Sequence, residues 1–363
     1  LSTGHSSDPT PEAESSRFRE REVKFEHSNN LPQILSHLRG TLLVSTYQAG
    51  KLVVLGTQTE GRLALSFHNF ERAMGIAVGR DRIAVGAQRM VWQLRRNSEI
   101  APQVAPAGSH DDCYLTRHAH FTGEIQAHEL AWSSQGLIVV NTLFSCLATL
   151  DETHSFVPIW RPQFISALAA EDRCHLNGLA MLDGRPKYVT AMGQTDTAGG
   201  WRDTKATAGC VVDVPSGEVV ATGLAMPHSP RIGDGKLYVL DSGRGRLAQV
   251  DLANGQLQTI VELPGYTRGL ALAGQFALVG LSKIRERSTF GGVPIAEGGQ
   301  SLRCAVVVVD LHSGQAISRF EFQSGVEEIF DVQFLPGVRF PAISGPFPDA
   351  DSTAPIWMVP APR

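Results

Sequence analysis

The chain has 363 residues, of which 42% are hydrophobic and 19% charged, with 36 Gly and 20 Pro. Soluble domains average about 25% charged residues and about 7% Gly, so this balance suits short apolar runs joined by many turns rather than long charged helices. A formal net charge of -4 argues against a nucleic-acid protein or a polybasic membrane binder, and no apolar run reaches the roughly 20 residues that span a bilayer.

In chain order, residues 1–38 read as a disordered or loosely attached leader, opening LSTGHSSDPTPEAESSRFRERE, with no apolar stretch of a secretory signal. Residues 39–363 read as a single all-β domain. Within it one unit recurs: an apolar strand, a Gly/Asp turn, a second strand, a gap, a third strand often ending in Val-Asp or Leu-Asp, an SG or NG turn, and a fourth strand. The clearest copy is GKLYVLDSGRGRLAQVDLANGQLQTIVELPG, residues 235–265. Alternating apolar and polar residues around such turns mark hairpins, and a repeat of 40 to 60 residues marks a propeller or a related array.

Naming the strands of a unit A to D, the A candidates are MGIAV (74–78), ELAWS (129–133), NGLAML (177–182), SPRIG (229–233), RGLALA (268–273) and FDVQFL (330–335). The sixth lacks convincing strands after it. LLVSTY, KLVVLG and RLALSF, within residues 42–67, supply them from the N-terminal side. The expected fold is therefore a six-bladed β-propeller whose last blade is completed by N-terminal strands, a closure that leaves no exposed edge.

In such blades the D–A and B–C connections share one face, and the A–B and C–D turns share the other. The long connections, residues 97–127 and 161–175 before A strands and 192–208 and 284–303 between B and C, all fall on the first face in this reading. Long loops gathered on one rim of a scaffold carry function. The residues aimed at the axis there are Arg72, His128, His175 with Asn177, His228, Arg268 and Glu328. Three histidines at matching places in consecutive blades suit a transition metal, with an open position for catalysis. Glu328, or Glu129 beside His128, adds a carboxylate as ligand or base. Strict alignment of the blades puts Asn177, not His175, opposite His128 and His228, so the axial residue of that blade is open.

Other candidates surround this set. His118 and His120 share a strand face and, with Asp111, Asp112 and Cys113, form a substrate lid or a second metal site. Trp201 and Arg202 on the Gly-rich loop 193–209 suit recognition of a carboxylate or planar group. Arg231, Arg268, Arg285 and Arg287 add cations near the same rim, which points to an anionic substrate or to ion pairs closing the pocket. No nucleophile elbow, P-loop, dinucleotide fingerprint or HExxH is present. The five cysteines are scattered without a CxxC pair, which fits free thiols in a cytoplasmic protein.

At EDRCHLNGLA, GGWRD, GLAMPHSPR, LYVLDSGRGRL and EEIFDVQFLPG the sequence resembles a bacterial family of conserved hypothetical proteins carrying a domain of unknown function, some attached to tetratricopeptide repeats. The resemblance implies a propeller of NHL or YncE-like appearance and no particular reaction. At the level of architecture the chain is also similar to gluconolactonase and strictosidine-synthase-like propellers, whose axial site holds a divalent metal; histidines replace most of their acidic and amide ligands here.

The resulting expectation is a metal-dependent enzyme acting on a small or peptidyl substrate. His128, His175 and His228 hold copper, iron or zinc. Glu328, Arg268 and Arg231 take part in catalysis, and Trp201, Arg202, Asn177, His118 and His120 bind substrate. An oxidoreductase is favoured, with a zinc- or His/Glu-dependent hydrolase as the alternative. The other alternative is a metal-free scaffold for a peptide or protein partner.

Overall fold

Strands that alternate apolar and polar residues across tight turns bond to their chain neighbours, and each resulting sheet must bury both faces against other sheets. The computed structural model describes residues 22–284 and 291–359 and shows that outcome. The first elements are strand β1 (Phe25–His27), helix α1 (Leu31–Leu38), β2 (Gly40–Thr46), β3 (Lys51–Thr57) and β4 (Leu63–Asn69). Blade 1 contains β5 (Ile76–Val78), β6 (Arg82–Gly86), β7 (Met90–Arg96) and β8 (Asp112–Phe121). Blade 2 contains β9 (Ala127–Ser133), β10 (Gly136–Asn141), β11 (Cys146–Thr149) and β12 (Val157–Trp160). Blade 3 is β13 (Leu176–Leu182), β14 (Arg185–Ala191), β15 (Gly209–Asp213) and β16 (Val219–Leu224). Blade 4 is β17 (Pro227–Gly233), β18 (Lys236–Asp241), β19 (Arg246–Val250) and β20 (Leu257–Glu262). Blade 5 holds β21 (Tyr266–Ala273), β22 (Phe276–Ser282), β23 (Cys304–Asp310) and β24 (Gln315–Phe322).

Blade 6 closes the ring as expected: its inner strand β25 (Asp331–Pro336) pairs antiparallel with β2, and β3 and β4 complete it. The six innermost strands are the six A candidates, shifted by at most two residues at their starts. The core lies between blades. One cluster joins Leu42, Val44 and Val53 of blade 6 to Val306, Val308 and Phe320 of blade 5, and others fill the remaining gaps. Strand β2 is buried along its whole length, and strands enclosed in this way carry few charged side chains.

Near the axis the inner strands approach so closely that side chains are excluded. A Cβ on Gly178 would lie 2.4 Å from Pro230 Cδ. Gly269, at φ +81°, would meet the backbone of Asp331 and Val332 within 2.5–2.9 Å.

Three features depart from expectation. Part of the assumed leader is ordered: β1 adds a fifth strand to β24, and α1 buries Leu31 and Leu35 against blades 5 and 6. Strand β26 (Pro341–Ser344) runs parallel beside β8 as a fifth strand of blade 1. Residues 112–121 form the outer strand of blade 1, so the connection 97–111 links strands C and D and belongs to the face opposite the long D–A and B–C loops.

Candidate functional site

The D–A and B–C connections surround a cavity of about 370 Å³ at the axis. His128, His175, His228, Arg268 and Glu328 line it, together with Arg72, Phe330, Tyr266 and Trp201. The sequence-based set is thus largely gathered in one place, on the face where it was expected.

Each histidine is anchored through Nδ1. His128 Nδ1 lies 3.1 Å from Gln126 O and 2.8 Å from Thr142 Oγ1, whose hydroxyl donates to Leu176 O at 2.5 Å. His228 repeats the arrangement, with Met226 O at 2.9 Å and Ser242 Oγ at 3.0 Å. Thr142 and Ser242 each directly follow the second strand of their blade. In blade 3 that place belongs to Met192, and His175 Nδ1 instead meets both oxygens of Asp172 at 2.9–3.0 Å. Carbonyl and carboxylate oxygens only accept, so in every case Nδ1 carries the proton. The lone pair of the neutral ring is then on Nε2, which makes no hydrogen bond among the described residues. Withdrawal from solvent, aided by Arg268 and the neighbouring imidazoles, holds His128 and His228 well below the usual histidine range. The rings of His128 and His175 meet nearly perpendicular, centroids 4.8 Å apart.

Blade alignment does put Asn177 in the place of His128 and His228. Gln126, His175 and Met226 share the left-handed conformation two residues earlier, with φ of 55°, 50° and 49°. The side chains decide otherwise. Asn177 is buried, accepting from Thr190 Oγ1 at 2.7 Å, while His175 reaches the cavity from the turn. Strain in a non-glycine αL residue is common at functional sites.

Arg268 and Glu328 stand together at 3.4 Å, and the Arg268 guanidinium lies 3.4 Å above the Phe330 ring. Arg231, expected in catalysis, does not line this cavity. It sits further along the axis, paired with Glu129 and 3.9 Å from Asp331. Glu129 Oε2 accepts from Leu179 N and Asp331 Oδ2 from Ile76 N, so this buried group joins blades 1, 2, 3, 4 and 6. Burial pushes Glu129 up to about 7 even beside Arg231. In this arrangement Arg231 ties blades together.

Trp201 is fully buried; its indole donates to Asp172 Oδ2 at 3.0 Å and its ring tilts against His175 at 4.4 Å. Arg202 stacks on the outer side of Trp201, 4.6 Å from its centroid, and is not among the cavity residues. His118 and His120 lie apart on β8 and border a separate groove with Asp151 and His154. Asp111 binds the backbone of Arg339 and Phe340, and Asp112 pairs with Arg96, so neither joins them. Arg285 and Arg287 lie outside the described residues. Cys174, beside His175 in sequence, is a buried thiol pushed up to about 12, which removes it as a nucleophile. Among the described residues no three His, Cys, Asp or Glu side chains are grouped so as to hold a metal ion.

A model of a domain of unknown function, DUF4915, matches residues 29–344. The chain belongs to the DUF4915 family. No curated protein matches it. Among solved structures, one similar chain comes from a crystal structure of a nidogen/laminin complex, with a TM-score of 0.52 and 12% identity over 82% of this chain and 99% of that one. At that identity the likeness carries the fold alone.

Sequence reasoning missed four residues of the DUF4915 site: Asp172, Thr142, Ser242 and Phe330. Asp172 was findable as the residue three before His175 in a turn. Thr142 and Ser242 follow VVN and VLD at matching ends of their second strands. Phe330, next to the carboxylate in EEIF, carried no signal beyond its apolar character.

Proposed function

We propose that this DUF4915 propeller is a metal-dependent enzyme acting on a small or peptidyl substrate at the axial cavity. One observation carries the reading: three imidazoles from consecutive blades line one cavity, each with Nδ1 committed to an acceptor. That arrangement is how proteins orient metal-ligating histidines and raise their basicity. His128, His175 and His228, which are not drawn together as a ligand set among the described residues, would have to close around the ion, copper, iron or zinc, with Glu328 as a further carboxylate. A bound ion would supply either an activated water for hydrolysis or a redox centre, and oxidative chemistry is the reading we prefer. The protein's own part is to keep His128 and His228 neutral, to hold the substrate within reach and to present Glu328 as a base. Five buried cysteines that form no disulfide among the described residues support a reducing setting such as the cytoplasm.

Isothermal titration of protein lacking a His-tag with Zn²⁺ and Cu²⁺ tests this. One ion per chain is expected, lost in His128→Ala and His228→Ala. Absence of stoichiometric binding overturns the metal site and leaves the cavity as a metal-free binding site for a ligand or partner.

A further inference from the structure

Deepening that reading, and resting on it only for the location of the chemistry, we infer that Arg268 binds the carboxylate of the substrate. The ligand class is a small organic acid, or a peptide C-terminus, with an apolar or aromatic body.

Arg268 is only 7% exposed, yet its sole hydrogen bond among the described residues is one of 3.4 Å to Glu328. A guanidinium has five N–H donors, all in its own plane. Here the face of that plane is spent on Phe330 at 3.4 Å, so the donors emerge sideways. One edge meets Glu328, and the rest have no acceptor among the described residues although the side chain borders the cavity. A buried cation held by stacking, with an open fork, is arranged to take an oxyanion by two parallel bonds. None of its nitrogens is among the fully enclosed unsatisfied atoms of the structure, unlike one nitrogen of Arg231, so the fork remains reachable from the cavity.

The surroundings agree. Arg72 and Lys283 also line the cavity, so cations outnumber carboxylates there, and Glu124 is already bonded to Gln88 and Arg89. Met74, Met192, Met226 and Tyr266 supply an apolar wall for the body of the ligand. The volume, about 370 Å³, is at the small end of ligand cavities and suits a compact acid or one terminal residue.

Titration calorimetry with phenylacetate against phenylacetamide, and N-acetylphenylalanine against its C-terminal amide, tests the inference. Both series are run in EDTA and again after metal loading. We expect each acid to bind at least about tenfold more tightly than its amide in EDTA. That preference should collapse in Arg268→Lys, which keeps the charge but lacks the planar fork. A preference confined to the second pair identifies a peptide terminus as the source; equal strength in both identifies a free acid. No preference for acid over amide in either pair overturns the inference, as does a preference that survives in Arg268→Lys. An acid that binds only after metal loading, and equally well to Arg268→Lys, is held by the metal, which would overturn the role of Arg268 while sustaining the metal site. Because the acid–amide comparison is made on the unaltered protein, it stands even if the variant folds poorly.

Discussion

His128 and His228 occupy equivalent points of their blades, each clasped by the carbonyl two residues earlier and by a hydroxyl ending the second strand. His175 reaches the same cavity from a different backbone position and is held by Asp172 instead. Asp172 is therefore a positioning residue. Asp172→Asn is expected to lower metal affinity about 10- to 100-fold with little loss of stability; unchanged affinity by calorimetry would deny it that role. The imidazoles also make a pH prediction. With folded values below 6.5 for His128 and His228, the unfolded chain takes up protons first as pH falls. Their contribution to stability is then complete above 6.5 and lost as the pH drops through the folded values. In NMR titrations both rings should show midpoints below 6.5; a midpoint at or above it in either ring contradicts the burial argument. At this scale the sequence was informative about which histidines line the cavity and silent about their anchors. A histidine at a repeat position is visible in one line of text, whereas the acceptor for its Nδ1 comes from a turn whose geometry is set by the fold.

The strands were legible because their alternation and their Gly turns are local, and the N-terminal completion of blade 6 followed from counting strands. What escaped was pairing at the rims. Strand β8, DCYLTRHAHF, is buried for its first half and exposed beyond, so alternation fades where His118 and His120 lie. Strands β1 and β26 are only three and four residues long, too short to stand out from loop. Helix α1 hides in a segment that opens with charge and serine, yet Leu35 is fully buried in the cluster between blades 5 and 6. Leu35→Ala should cost about 2–5 kcal/mol in urea unfolding. A cost below about 0.5 kcal/mol would mean that the helix is not part of the cooperative unit.

Across the whole molecule, the cluster of Arg231, Glu129 and Asp331 ties inner strands that are far apart in sequence. Removing the only cation leaves two buried carboxylates, so Arg231→Met is expected to destabilise by about 3–5 kcal/mol at neutral pH. The deficit should shrink toward pH 5, where protonation relieves the carboxylates at little cost, and that trend in denaturation midpoints separates this role from a catalytic one. A deficit independent of pH would mean that the pairing is not what Arg231 supplies.

The closure of blade 6 has a consequence for biosynthesis. Strand β2 ends at Thr46, but its inner partner β25 begins only at Asp331. At roughly 5–20 residues per second, the ribosome takes from about fifteen seconds to a minute to make what lies between. Throughout that interval the emerging chain carries an unpaired strand edge that the folded protein buries completely, so a nascent DUF4915 polypeptide should depend on a holding chaperone until its last blade is released.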